Sequence, residues 1–155
     1  MDNIKIRLSS QKDLKTVNKL FWLLTLYNRK NRPKDEVKQR RDEEAEKNLS
    51  NEEAKKVFSN KNCYFLVAET NDKEIIGYGY IDKSKSRIVI EELYVKKEFR
   101  RKGIGKKILT GLENYLKKNK LRAMVEVFPW NKKAIRFYNK NGYRTKFIVL
   151  EKKGF

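Results

Sequence analysis

The residues of this chain best suited to chemistry are two glycines set among cations. Arg100-Arg101-Lys102-Gly103-Ile104-Gly105 lies between two patterned runs. Before it, Ile88–Val95 is rich in β-branched residues and reads as a strand. After it, Ile104, Ile108, Leu112 and Leu116 recur every four residues, which is one face of a helix. A glycine loop that opens a helix is an anion site. Glycine lets the backbone come close, the first amides of the helix have no partner, and the helix dipole favours negative charge. Lys106 and Lys107 extend the positive flank, so the expected ligand carries phosphate. Spacing excludes two common phosphate motifs. The Walker arrangement of glycines and Lys-Ser/Thr is missing, and Ile108 stands where a third glycine would complete the dinucleotide fingerprint.

What remains is Arg100-x-x-Gly103-x-Gly105. A second block follows downstream, with Asn131, Ala134, Phe137-Tyr138 and Gly142-Tyr143 in order. Together the two blocks resemble the signature of the GNAT superfamily of N-acetyltransferases. The general likeness runs from the first strand to the end, and its specific part is residues 88–143. The resemblance implies acetyl-CoA as co-substrate and an amine-bearing acceptor, either a peptide or a small molecule. It implies an α/β (α+β) domain with a mixed central sheet of about six to seven strands and about four helices, splayed at the cofactor site.

Site roles follow from the same resemblance. The backbone of Leu93, Tyr94 and Val95 is expected to pair with the pantetheine arm. The loop amides of Arg101, Lys102, Gly103, Ile104, Gly105 and Lys106, with Arg100 beside them, are expected to cradle the pyrophosphate. Ala134, Phe137 and Tyr138 belong to the cofactor wall. Asn131 is expected to bond the pantetheine arm, with helix capping as a compatible alternative. Tyr138 matches the tyrosine that protonates the departing thiolate, and packing is its alternative role. A glutamate on the strand before the loop serves relatives as base through a water. Successive strand residues face opposite sides, and Glu91 has the matching parity. Glu91 is therefore put forward, with Glu92, water alone, or rim pairing with lysines as alternatives.

Composition sets outer bounds. At 155 residues the chain is expected to form a single domain spanning residues 1–155. There is no histidine, which removes His-based triads and zinc motifs, and no metal is expected. The lone cysteine, Cys63, permits no internal disulfide and is expected to be structural. The longest apolar stretch, Leu20–Tyr27, is too short to span a bilayer. Met1-Asp2-Asn3-Ile4-Lys5 has no apolar leader, so a cytoplasmic location is expected, without membrane partners.

The net charge is +19, and between Lys96 and Arg122 eleven Lys/Arg face two acids. That charge attracts an anion such as coenzyme A, and much of it is ordinary solvated surface. A basic nucleic-acid-binding module is the rival reading from charge, but clustered exposed aromatics and a helix-turn-helix pattern are missing, so nucleic acid is not expected. A non-catalytic acetyl-CoA-binding regulator is the other alternative, and a homodimer is left open. Acids from Asp35 to Glu46 could draw a cationic amine. The overall charge repels polyamines and favours a peptide or an anion-bearing acceptor.

The elements that must position these residues are legible in outline. Ile4, Ile6 and Leu8 alternate with cations as a first strand. Ser10 and Asp13 suggest a cap before the stripe Leu14, Val17, Leu20/Phe21, Leu24. A polar helix is expected near Asp35–Lys47, then a short helix opened by Ser50–Glu53 and ending near Phe58. Tyr64–Glu69 and Glu74–Asp82 read as a hairpin. Ala123–Phe128 and Thr145–Glu151 read as further strands, with a helix over Lys132–Asn141 between them. Gly77-Tyr78-Gly79 marks a bulge or a close approach within its strand.

Overall fold

The computed structural model describes residues 3–34 and 42–154. Among them the chain runs β1 (Lys5–Leu8), a 3-10 turn (Gln11–Asp13), α1 (Leu14–Asn31), α2 (Glu43–Ser59), β2 (Cys63–Glu69), β3 (Ile75–Asp82) and β4 (Ile90–Val95). A second 3-10 turn (Lys97–Phe99) leads to α3 (Ile104–Lys118) and then α4 (Lys132–Lys140). The four strands form one antiparallel sheet in sequence order.

Alternation along the strands feeds two cores. On one face Leu66, Ala68, Ile76 and Ile81 meet Ile104, Ile108, Leu112 and Leu116, the α3 stripe read from the sequence. On the other, Phe65, Val67, Tyr78 and Tyr80 meet Val17, Leu20 and Phe21 of α1 and Ala54 and Val57 of α2. Each fully buried Leu or Ile contributes about 1.5–3 kcal/mol, so the two faces together hold the layers. Gly77-Tyr78-Gly79 is explained by close approach. A Cβ on Gly79 would stand 2.7 Å from Ile108 Cγ2, and one on Gly77 would stand 2.8 Å from the Tyr94 carbonyl oxygen. The glycines let α3 lie flat on the sheet, and the tyrosine between them enters the opposite core.

Local signals hold where the chain supplies partners. The Ser10 amide donates to Asp13 at 2.8 Å, closing the expected cap. Arg7 ties that carboxylate to the hairpin, donating to Asp13 at 2.8 and 2.9 Å and through Nε to Glu69 at 3.0 Å. Hydrogen bonds from Arg7 hold both carboxyls below their ordinary range. Ser50–Glu53 is not a helix start, because α2 already begins at Glu43, capped by Asp42. Ser50 lies buried inside that helix, within reach of the Thr25 hydroxyl, and its outward-looking cap pattern is internal packing. Of the polar helix expected over Asp35–Lys47, residues 35–41 lie outside the described residues.

The sheet is smaller than the expected six to seven strands, and it is antiparallel rather than mixed. Residues 123–128 touch β4 through one parallel bridge, Ile90 to Val125, and form no ladder. Residues 145–151 are not a strand, and Ile148, Val149 and Leu150 are exposed. Both segments have strand-like side chains, but a strand also needs a run of ladder hydrogen bonds, and among the described residues only the single bridge at Ile90 forms. None of the described helices is long and apolar enough to cross a membrane.

Candidate active site

The centre of the candidate site is a break in the regular alternation of β4. Tyr80 pairs with Glu92, but Ile81 pairs with Ile90, leaving Glu91 as the extra residue of a β-bulge. Side chains register the break: Ile90 and Leu93, three positions apart, both pack into the α3-side core. The backbone registers it too. The Ile90 amide donates to Met124 at 2.8 Å, away from β3, while the Lys96 amide donates to Ile76 at 2.9 Å, toward β3. Strict parity between Glu91 and Glu92, on which the sequence reading of the base relied, therefore does not apply.

The bulge separates the fates of the two glutamates. Glu91 Oε2 accepts from Lys85 Nζ at 2.7 Å, the pairing foreseen as its alternative role. Glu91 Oε1 is buried with no partner. Glu92 points among the tyrosines of the α1–α2 side and accepts from the Tyr78 hydroxyl at 2.6 Å. Burial pushes the Glu92 carboxyl up to about 7, against the opposing pull of the Tyr78 hydrogen bond, and Glu53 and Glu91 add to the rise. Tyr78 is itself driven well above its ordinary range, first by burial and then by the neighbouring Glu92 charge. Nothing in the residue pattern directly marks Tyr78 as a partner. The available signal was the placement of Tyr78 and Tyr80 two apart, hence on one face, in a strand paired with the one carrying Glu92.

Past the bridge at Ile90, the outer edge of β4 carries no neighbouring strand among the described residues. Alternation from Lys96 places the Tyr94 peptide toward β3 and those of Leu93 and Val95 toward this open edge. Two of the three backbone positions expected to meet the pantetheine arm thus face outward, and Tyr94 does not. The Val95 carbonyl is already used, accepting from Arg100 Nε at 2.8 Å. The Arg100 guanidinium lies over the rings of Tyr94 and Tyr27, at 5.4 and 5.9 Å. It fastens the loop to β4 and is not simply a free phosphate ligand.

The loop opens a helix, as its glycines and the stripe after it predict. Arg101 and Gly103 take left-handed φ values of 61° and 78°, and Gly103 is the N-cap of α3. Nothing lies within 4 Å of a Cβ placed on Gly103, so the space above it is open. The first helical bond of α3 runs from Lys107 to the Gly103 carbonyl, leaving the amides of Ile104, Gly105 and Lys106 without helical acceptors. Arg101, Lys102 and Lys106 are exposed beside them, while Ile104 is buried and anchors the turn.

Helix α4 closes the other wall. The Asn131 side chain accepts from the Ala134 amide at 3.2 Å, so capping is its observed bond. A Cβ on Gly105 would stand 3.3 Å from Phe137 and 3.8 Å from Leu93, so β4, α3 and α4 converge at that glycine. Tyr138 is 8% exposed and packs edge-on to Phe137 and Tyr143. No hydrogen bond to its hydroxyl occurs among the described residues, and burial pushes that hydroxyl up to about 12. It is therefore protonated at neutral pH. Gly142, at φ 88°, follows α4 in a left-handed turn, a conformation that favours glycine. Cys63 is free, and burial raises its thiol to about 11, which makes it a poor nucleophile.

Comparison with known proteins supports the same frame. Residues 18–143 match the model of the acetyltransferase (GNAT) family. The thialysine N-epsilon-acetyltransferase of Sus scrofa is 37% identical over 76 residues, which is 45% of this chain and 45% of that protein. The chain thus matches less than half the length of that curated relative. The solved PaiA N-acetyltransferase of Thermoplasma acidophilum, in complex with coenzyme A, is 25% identical. Its TM-score is 0.69, over 93% of this chain and 91% of that one. The tetramutant BH1408 protein of Bacillus halodurans shares the fold, with a TM-score of 0.77 at 22% identity over 95% and 97% of the two chains. With most of its length matched by the family model and its fold shared across these structures, the chain belongs to the acetyltransferase (GNAT) family.

Proposed function

We propose that the chain transfers an acetyl group from acetyl-CoA to a primary amine, by direct attack while both are bound. The observation that carries this reading is the open edge of β4, which leads through a 3-10 turn and the glycine loop to the unpaired amides at the start of α3. A strand-like arm ending in a diphosphate fits that continuous set of donors and acceptors. Leu93 and Val95 would hold the arm. Gly103, Ile104, Gly105 and Lys106 would hold the diphosphate, with Arg101 and Lys102 adding charge. Phe137 and Ala134 would wall the arm from α4. When bound, acetyl-CoA supplies an activated acyl group as a thioester.

The chain's own residues then handle protons. An amine must lose its proton to become a nucleophile, and an ordinary carboxylate lies about six pH units below it. With its carboxyl raised to about 7, Glu92 narrows that gap by more than two units. We assign the base role to Glu92, acting directly or through water, and leave Glu91 to charge pairing with Lys85. Tyr138 presents a protonated hydroxyl near the junction of β4 and α4, where a departing thiolate could take its proton.

The partial likeness to a thialysine acetyltransferase supports a small amine as acceptor. A panel of amines and peptides incubated with acetyl-CoA, read by release of free thiol, tests the proposal. Acetylation of at least one amine is expected. Tight acetyl-CoA binding with no acetylation across the panel would contradict it.

A further inference from the structure

Beside the bulge lies a recess of about 580 Å³, lined by Lys85, Ser86, Arg87, Val89, Glu91 and Glu126. Its size is that of a small-molecule site. The lining contains two ion pairs, each only half satisfied. Lys85 Nζ bonds Glu91 Oε2 at 2.7 Å, leaving Glu91 Oε1 buried without a partner. Arg87 Nη1 bonds Glu126 Oε1 at 2.9 Å, leaving the rest of its guanidinium fork free of hydrogen bonds among the described residues. Arg87 is also held from the other side, its guanidinium 4.8 Å from the centre of the Phe147 ring. Glu91, with its orphaned carboxylate oxygen just beneath the surface, and Arg87, with its half-used guanidinium, therefore line one recess. A purely cationic ligand satisfies the first and leaves the second, and a purely anionic one does the reverse. A ligand carrying both charges close together satisfies both.

We propose that this recess holds the zwitterionic head of the acceptor, an ammonium and a carboxylate on one carbon, with Glu91 taking the ammonium and Arg87 the carboxylate. The inference rests on the acetyl-transfer reading above and names its acceptor class. An ammonium paired with Glu91 keeps its proton and is not the nucleophile. The reacting nitrogen is a second amine on the same molecule, reaching from the recess toward Glu92, the next residue along β4. The acceptor class is therefore a diamino acid. A basic chain also discriminates in this direction, because the carboxylate offsets the repulsion that a bare diamine meets.

Lysine and cadaverine differ only in the carboxylate and provide the test. Each is titrated calorimetrically into the chain with coenzyme A present, so affinity is read without turnover. Lysine is expected to bind about tenfold to a hundredfold more tightly, the range for a hydrogen bond to a charged group. In Arg87→Gln lysine should fall to the level of cadaverine, while cadaverine is unchanged. Arg87 lies on an exposed loop, and circular dichroism verifies that the variant is folded. Equal affinities in the parent chain, or a preference for lysine that survives Arg87→Gln, would overturn the assignment. Selective lysine binding with no acetyl transfer on adding acetyl-CoA would instead overturn the proposed reaction and leave the recess assignment standing.

Discussion

Replacing Glu92 by Gln should make the protein more stable and less active, with both effects governed by pH. The Glu92 carboxyl ionises near 7 when folded and near its ordinary value of 4.5 when unfolded. Between those values the folded chain keeps a proton that the unfolded chain has lost. Stability therefore falls as pH rises through that window and levels off above it. At about 1.36 kcal/mol per pH unit, the full cost of ionising the buried group is about 3 kcal/mol. Gln cannot ionise, and its carbonyl can still accept from the Tyr78 hydroxyl. The variant should match the parent near pH 4.5 and exceed it by up to about 3 kcal/mol at pH 8. For a domain of this size that is a rise in Tm of about 6–12 °C. Thermal unfolding of both proteins at half-unit pH steps measures the difference directly, since all other titrations cancel. Acetylation rates from the same preparations should drop about a hundredfold or more, and the parent's rate should climb through pH 7. A Tm gap that stays constant from pH 4.5 to 8 would refute the burial argument. Unaltered turnover would remove Glu92 as base.

Two other substitutions probe the walls of the site. Tyr138→Phe removes a hydroxyl with no hydrogen-bond partner, so thermal stability should change by less than about 1 kcal/mol. Steady-state kinetics should show turnover reduced about tenfold to a hundredfold with little change in acetyl-CoA affinity. Wild-type turnover would leave Tyr138 as packing. Gly105→Glu places a side chain against Phe137 and a negative charge beside unpaired amides. Calorimetry should show acetyl-CoA binding abolished, and denaturant unfolding should show a loss of about 1–3 kcal/mol. Retained affinity would count against the loop as the diphosphate site.

Local chemistry made much of this site legible before any coordinates. The α3 stripe, the glycine loop that opens it, the Asn131 cap and the hairpin all follow from residue types acting within a few positions of themselves. Non-local features did not show. A bulge at Glu91 depends on how β4 registers against β3, which no local pattern encodes, so strand parity alone could not separate the surroundings of Glu91 and Glu92. Arg100 looked like a phosphate ligand by charge, but its Nε is engaged by a carbonyl five residues back. The strand-like runs at 123–128 and 145–151 have the right side chains, and what is missing among the described residues is a ladder beyond the one bridge at Ile90. Ser50–Glu53 has a cap pattern, yet the helix it seemed to open had already begun.

The central claim is that the edge of β4 and the start of α3 together grip coenzyme A. Amide chemical shifts of isotope-labelled protein, followed as coenzyme A is added, test it most directly. The largest changes are expected on Leu93, Val95, Ile104, Gly105 and Lys106, with β1 and β2 nearly silent. Saturable binding with the largest changes elsewhere, and those five amides unmoved, would contradict it.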